Sequence, residues 1–266
     1  MLEPLVSIIL PTYNPQKDWI ELAISSVLRQ SYQNFELLIV DDASTNWVLA
    51  MIQELTSSDS RIRIITNKKN LHLVRTLNVW IIQANGKYIA RIDQDDIWSD
   101  SSKLQKQVSF LENNSEYALC GTGLMMMDIE GNVLDKIPVR ISDIEIRKHI
   151  LRDSQLAHPS VVIRKKALDE VWLYDPKWNY VEDYELWLRI GKKYRFCNLS
   201  DCCLLYRINP NGMSDTKSFK QRKMWLLLTW KYRNDYPGFY TAMMLKIPYV
   251  FLPKKVSQFL LTLIKK

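Results

Sequence analysis

Apolar runs and helical periods alternate four times through the first hundred residues. Val6-Ser7-Ile8-Ile9-Leu10 is a short apolar run stopped by Pro11, the pattern of a strand buried on both faces. Trp19, Leu22, Ala23, Ser26 and Val27 then fall on one side of a helix. Glu36 to Val40 predicts a second strand ending on Asp41-Asp42, Trp47 to Leu55 a second helix, and Arg61 to Ile65 a third strand. A helix over Leu73 to Ala84 closes at Asn85-Gly86, a C-cap pattern, and Lys87 to Ile92 is a fourth strand running into Asp93-Gln94-Asp95-Asp96. Repeated strand–helix units build a Rossmann-like α/β fold, a mainly parallel central sheet flanked by helices. Ligands of such sheets sit outside the carboxyl ends of the strands. The polar segments Pro11-Thr12-Tyr13-Asn14, Asp41-Asp42 and Asp93 to Asp96 lie at those ends.

The pattern loosens after residue 100. A helix starts near Ser101, and Tyr117 to Met127 reads as a strand with a hairpin return at Asn132 to Leu134. Ser142 to Leu151 is a capped helix and Ser160 to Ile163 a short strand. Glu182 to Lys192 has helical spacing, and Phe196 to Tyr206 is a closing strand. Beyond Ser214 the chain becomes long, basic and amphipathic, and no internal repeat is evident. These segments predict a main domain over residues 1–215, with a ligand-binding half at 1–97 and a second half at 98–215, followed by a basic amphipathic helical tail at 216–266.

Charge sharpens that division. The chain of 266 residues carries a net +7. The last fifty residues hold eleven Lys/Arg against one acid, Asp235, a net of +10; the first 216 hold 25 bases and 28 acids, a net of −3. A slightly acidic body with a basic tail argues against nucleic acid on the main domain and for an anionic surface met by the tail. Phe219, Met224, Trp225, Leu227, Leu228 and Trp230 interleave with Lys220, Arg222, Lys223 and Lys231; later Phe251, Val256, Phe259, Leu260, Leu263 and Ile264 interleave with Lys254, Lys255, Lys265 and Lys266. Such a helix suits the headgroup region of a membrane. The alternative is that its apolar face packs on the main domain or on a second copy of the chain, as a homodimer. The best spanning candidate, Tyr240 to Leu252, is broken by Lys246 and Pro248, and the N-terminus shows no secretory pattern, so the expectation is a chain that does not span a membrane. Four cysteines without a Cys-x-x-Cys pair suggest reduced, buried thiols in the cytoplasm.

Three carboxylates in four residues repel one another unless a cation or strong donors offset the repulsion. Oxygen ligands at this density, at a strand end, suit Mg²⁺ or Mn²⁺ together with substrate phosphates; a solvated turn capping the next helix is the plain alternative. Asp41 can accept from a base or ribose, while Asp42 can cap the helix after it. Glu182-Asp183 opens a helix among Trp172, Tyr174, Trp178, Tyr180, Tyr184 and Trp187. An acid there is either a cap favoured by the helix dipole or a general base beside aromatic platforms for a sugar acceptor. No glycine-rich dinucleotide or phosphate loop follows the first strand. The three scattered histidines supply no metal site, and no Ser-His-Asp arrangement is suggested.

On these residues the chain resembles the family 2 glycosyltransferases of the GT-A fold, bacterial polysaccharide and lipooligosaccharide branch. The matching text is Val6 to Asn14, Ser25 to Tyr32, Phe35 to Ser44, Asp93 to Trp98 and Glu182 to Trp187, spanning residue 5 to about 207. The resemblance implies a donor site at Pro11, Thr12, Tyr13, Asn14, Asp41, Arg75, Asp93 and Gln94. It implies Asp93 near the ribose, Asp95 with Asp93 on the Mn²⁺ or Mg²⁺ that bridges the pyrophosphate, and Asp183 as catalytic base. His158 would lie near donor phosphates or acceptor, in company with Glu182, Trp178 and Trp187. His72 departs from the family pattern, standing where relatives commonly have glycine. The implied activity is inverting, metal-dependent transfer from a nucleotide-diphosphate sugar, a uridine diphosphate donor above others, to a lipid-linked or growing cell-surface glycan at the inner face of the plasma membrane. One base opposite the leaving group suffices for inversion, whereas a retaining glycosidase needs a close acid pair. A non-catalytic nucleotide-sugar-binding or membrane scaffold, or a nucleotidyltransferase, is the competing reading; the intact acids oppose the first and the missing glycine-rich loop the second.

Overall fold

The computed structural model describes residues 3–209 and 218–251. The four expected N-terminal strands are β1 (Val6–Thr12), β2 (Phe35–Asp41), β3 (Ile62–Thr66) and β4 (Tyr88–Arg91), ordered β3-β2-β1-β4 and all parallel. Their helices are α1 (Lys17–Leu28), α2 (Val48–Thr56) and α3 (Leu73–Gln83). Strand residues alternate between two cores. Ile8, Leu10, Leu37, Ile39 and Ala90 pack with α1 and α2, while Ile9, Leu38, Val40 and Ile89 pack with α3. Both faces are therefore buried, which is why the runs are apolar without a break.

The sheet continues through β8 (Val162–Arg164), β6 (Tyr117–Met127) and β9 (Arg195–Arg207) to the short β5 (Ile97–Trp98), with β7 (Val133–Ile137) paired to β6. Here the hydrogen bonding is mixed: β8 is antiparallel to β4 and β6, and β6 is parallel to β9. Helices α4 (Lys103–Asn113), α5 (Asp143–His149), α6 (Lys165–Val171) and α7 (Glu182–Ile190) complete this half. Neither β5 nor α6 stands out in the hydrophobic pattern, since one has two residues and the other begins Lys-Lys. Gly86 is no C-cap: α3 ends at Gln83 with Ala84 extended, and a Cβ on Gly86 would lie 2.5 Å from the Ser7 backbone nitrogen. Glycine is required there by the close approach of β1.

The described part of the tail forms α8 (Ser218–Lys231) and α9 (Phe239–Phe251). Through Leu228 of α8, Ala242 of α9, and Tyr232 and Tyr236 in the link between them, the tail joins the α3-side core, so the alternative of packing on the main domain holds for these residues. Lys246, counted as a surface charge in the basic tail, is buried instead; its amine donates to Thr229 Oγ1 at 2.8 Å, and burial pushes its pKa down to about 7. The interleaved Val256 to Lys266 segment lies outside the described residues. No described helix is long and apolar enough to cross a membrane, and the four cysteines are free.

Glu185 holds the tail to α7. Its buried carboxylate accepts from Arg189 Nε at 2.7 Å, Lys231 Nζ at 3.1 Å and Tyr232 Oη at 2.8 Å. Removing one partner of such a set leaves buried charge uncompensated. We expect Glu185→Ala to cost about 3–5 kcal/mol in urea unfolding and Tyr232→Phe about 1 kcal/mol. Equal, small losses in both would show that the tail is not anchored here.

Candidate active site

Register decides which side chains meet. Thr12 pairs with Asp41 and Asp41 with Thr66, so the carboxyl ends of β1, β2 and β3 lie level. Arg91 ends β4 opposite Ile9, and the chain then turns into Asp93-Gln94-Asp95-Asp96. Gln94 ties that turn to β1, accepting from Thr12 Oγ1 at 2.8 Å and from the Tyr13 amide at 2.9 Å. The loops after β1 and β2 are stitched in turn: the Asn14 amide donates to Ser44 Oγ, and the Thr45 amide to Asn14 Oδ1, both at 2.8 Å. Asp41 is buried and accepts from the Ser44 amide. Pro11, Thr12, Tyr13, Asn14, Asp41, Asp93 and Gln94 thus form one continuous rim, with Tyr13 half exposed.

Asp42 does not cap α2. Its Oδ1 accepts from Asn67 Nδ2 and the Leu71 amide, both at 2.8 Å, and so fixes the entry to α3. Arg75 is exposed on the first turn of that helix. His72, just before it, has φ 63° and ψ 159°, a left-handed conformation that glycine takes freely and a histidine at about 1–3 kcal/mol.

The acidic turn is not a cap for α4 either; Asp100 serves that start through the Ser102 amide and hydroxyl. Asp96 is buried and accepts from the Arg207 amide at 2.9 Å. Burial, then Asp93 and Asp95, raise its pKa well above the usual carboxylate range. Arg207 also donates from Nε to the Asp95 carbonyl at 3.0 Å. The Asp95 carboxylate is raised by burial and then by Asp93, with the Asn209 amide 3.5 Å away. Asp93 forms an ion pair with Arg91.

Sequence reasoning missed Arg91. It is buried, and its charge faces Asp93, Tyr174, Glu182 and Asp183. The available signal was a lone charge two residues before the acids, within the apolar run Tyr88 to Ile92. Arg207 and Asn209, at the end of β9, gave none. β8 runs antiparallel to β4, which delivers the His158–Ser160 turn to the carboxyl end of β4. Arg91 donates to His158 Nδ1, and His158 Nε2 lies 2.6 Å from Tyr174 Oη. Burial and then the Arg91 charge hold His158 well below its ordinary pKa, so the ring is neutral. Both ring nitrogens are taken within the protein, which corrects any reading of a direct bond from His158 to phosphate or acceptor; the expectation placed it near them. Trp187 is likewise corrected: it is fully buried, edge-on to His158 with centroids 5.6 Å apart, and has no open face for a sugar. Trp178 is half-buried with Lys231 Nζ 5.1 Å over its ring.

Glu182 and Asp183 open α7 facing Arg91. Burial, then Asp183, push Glu182 up to about 7; burial also raises Asp183. Asp183 is only partly covered, whereas Glu182 is buried with Oε2 lacking a partner. Arg91 Nε and Asp96 Oδ2 are buried without hydrogen-bond partners as well. Stability alone disfavours such a concentration, and raised carboxylates gathered beside the buried Arg91 and Arg207 make this the candidate functional cleft. Among the described residues no three His, Cys, Asp or Glu side chains could hold a metal by themselves. Asp95 and Asp93 nevertheless fit a divalent cation that takes its remaining oxygens from a diphosphate and water, the usual habit of Mg²⁺.

Comparison with known proteins supplies the chemistry. A model of the family described as Glycosyl transferase family 2 matches residues 7–207. The chain is 32% identical to the uncharacterized glycosyltransferase MJ1057 of Methanocaldococcus jannaschii, over 87% of this chain and 80% of that one. It is 31% identical to the UDP-Glc:alpha-D-GlcNAc-diphosphoundecaprenol beta-1,3-glucosyltransferase WfgD of Escherichia coli, over 84% and 85%. Among solved structures, the mannosyltransferase PcManGT from Pyrobaculum calidifontis, in complex with GDP-Man and Mn²⁺, superposes with a TM-score of 0.69 at 16% identity, over 96% of this chain and 72% of that one. The shared architecture is the GT-A fold.

The Glu182 shift has a sign that can be checked. Above pH about 4.5 the unfolded chain ionises this group while the folded site keeps its proton to about 7, so wild-type stability falls across that window relative to Glu182→Gln. The advantage of Glu182→Gln should be larger at pH 8 than at pH 5 by on the order of 2–3 kcal/mol, read as urea midpoints. The same difference at both pH values would remove the buried, protonated carboxyl.

Proposed function

The chain belongs to glycosyl transferase family 2, and from that premise we propose that it moves a sugar from a nucleotide diphosphate, UDP before others, to a glycan hydroxyl with inversion at the anomeric carbon. The observation that carries this reading is the convergence of Asp93, Glu182 and Asp183 on Arg91 at the carboxyl end of the sheet. The rim from Pro11 to Asn14, with Asp41, Arg75 and Gln94, holds the nucleoside and phosphates. Residues 1–97 are the donor half, 98–215 the acceptor half.

Asp183 is the general base. Its carboxylate takes the proton of the acceptor hydroxyl as that oxygen bonds the anomeric carbon, the bond to the diphosphate oxygen breaks, and the nucleoside diphosphate leaves on the opposite side. Burial raises the affinity of Asp183 for that proton. A divalent cation on Asp95 and Asp93, when bound, supplies Lewis-acid neutralisation of the leaving diphosphate. Arg91 holds Asp93 in place and offsets the charge that the acids concentrate.

The named activity of WfgD on a diphosphoundecaprenol-linked sugar supports a lipid-linked acceptor, and with it a peripheral position on the inner face of the plasma membrane. Phe219, Leu227, Trp230, Tyr240 and Met244 are exposed on α8 and α9 beside Lys220, Lys223 and Arg233, a mixture suited to an anionic surface.

Three measurements follow. Calorimetry with UDP, dTDP and GDP, with and without Mn²⁺, should show metal-dependent binding of one nucleotide, lost in Asp95→Ala. Asp183→Asn should keep that binding and lose about 10²–10⁴-fold in transfer rate; no nucleotide binding at all, or full turnover in Asp183→Asn, refutes the assignment. Co-sedimentation with anionic vesicles should fall in the double variant Trp230→Ser, Met244→Ser, and unchanged sedimentation would take these helices off the membrane.

A further inference from the structure

The contacts of His158 give it a role other than touching substrate. A guanidinium donates and never accepts. Because Arg91 meets Nδ1, that nitrogen must be the unprotonated one, and the single proton of the neutral ring sits on Nε2. Nε2–H then donates to Tyr174 Oη at 2.6 Å. Tyr174 is itself held by its backbone: its amide donates to Asn78 Oδ1 at 3.0 Å and its carbonyl accepts from Asn78 Nδ2 at 2.7 Å. Asn78 lies one turn beyond Arg75 on α3. An unbroken chain therefore runs from α3 through Tyr174, His158 and Arg91 to Asp93, and every link is buried or half-buried.

We propose that His158 is a positioning residue: carrying its proton on Nε2, it fixes the guanidinium of Arg91 against Asp93 and ties that carboxylate to Tyr174 and α3. Without an acceptor at Nδ1, Arg91 is free to turn towards Glu182 and Asp183, and Asp93 loses its fixed rotamer at the donor. The inference rests on the donor placement beside Asp93 proposed above.

Two substitutions separate this role from simple packing. The Oδ1 of asparagine reaches the position of Nδ1, while the Oε1 of glutamine reaches that of Nε2; both remove the ring from Trp187. His158→Asn should keep the donor kcat/KM within about threefold of wild type, and His158→Gln should lose about 10–100-fold, the worth of a charged hydrogen bond. Their Tm values should agree and the acceptor KM should stay constant in both. Equal losses, or a greater loss in His158→Asn, overturn the proposal.

Long-range ¹⁵N–¹H correlation on the full chain reads the tautomer directly, with the His158→Asn spectrum assigning the signal. A proton on Nδ1 overturns the inference whatever the donor is, whereas absence of nucleotide binding by wild type refutes only the donor reading. Should the polar variants fail to fold, Tyr174→Phe removes one hydroxyl. It should leave the proton on Nε2, because Arg91 still meets Nδ1, and should keep the donor kcat/KM within about threefold as in His158→Asn; a proton on Nδ1 in that variant would overturn the proposal.

Discussion

Arg91 and the carboxylates around it exist only as a set. A guanidinium buried at the end of β4 costs several kcal/mol unless it is paired, and carboxylates brought together without it would stay protonated or drive the loops apart. With Arg91 present, Asp93 is ion-paired and the charge reaches Glu182, Asp183 and Asp96. The compensation is incomplete, since the pKa values of Glu182, Asp183 and Asp95 remain raised. A cleft left with surplus negative character is the setting in which the proposed further cation, and the anionic diphosphate with it, would be held.

The fold supplies the geometry by concentrating irregular backbone at that end of the sheet. Asn14, Ala43, His72 and Tyr180 all have positive φ without being glycine, and they follow β1, follow β2, precede α3 and precede α7. Such residues persist where neighbouring bonds over-determine them. Asn14 is held from both sides by Ser44 and Thr45, and the Tyr180 carbonyl by Gln221 of α8. The strands beneath are packed on both faces, so the loops can carry strain that a thinner scaffold would release.

The N-terminal half was legible because its periodicity and its chemistry coincide: each apolar run stops where a polar segment begins, and parallel strands put every stop on one side. Asp93, Asp95, Glu182 and Asp183 could be singled out because clustered acids at element ends have few purely structural uses. Arg91 sits inside an apolar run as an apparent surface charge, and sequence shows residue type but neither that the His158 nitrogens are already bonded nor that Trp187 is fully buried. The mixed half was less readable for a different reason. β5 takes its place from long-range pairing with β9, at Leu204 and Leu205, and two residues carry no period of their own.

The tail shows how far charge alone misleads. Its bases suggested one surface, yet Lys246 is buried and Lys231 pairs with Glu185. Both groups act on α7. Tyr184 meets Lys246, Glu185 meets Lys231 and Tyr232, and Tyr236 donates to the Leu188 carbonyl. The first turn of the same nine-residue helix presents Glu182 and Asp183. A helix that must hold two repelling carboxylates at its buried N-terminus needs restraint elsewhere along its length, and α8 and α9 provide it. The described tail is in that sense part of the catalytic scaffold, and a membrane contact made through its outer face would press on the helix that carries the proposed base.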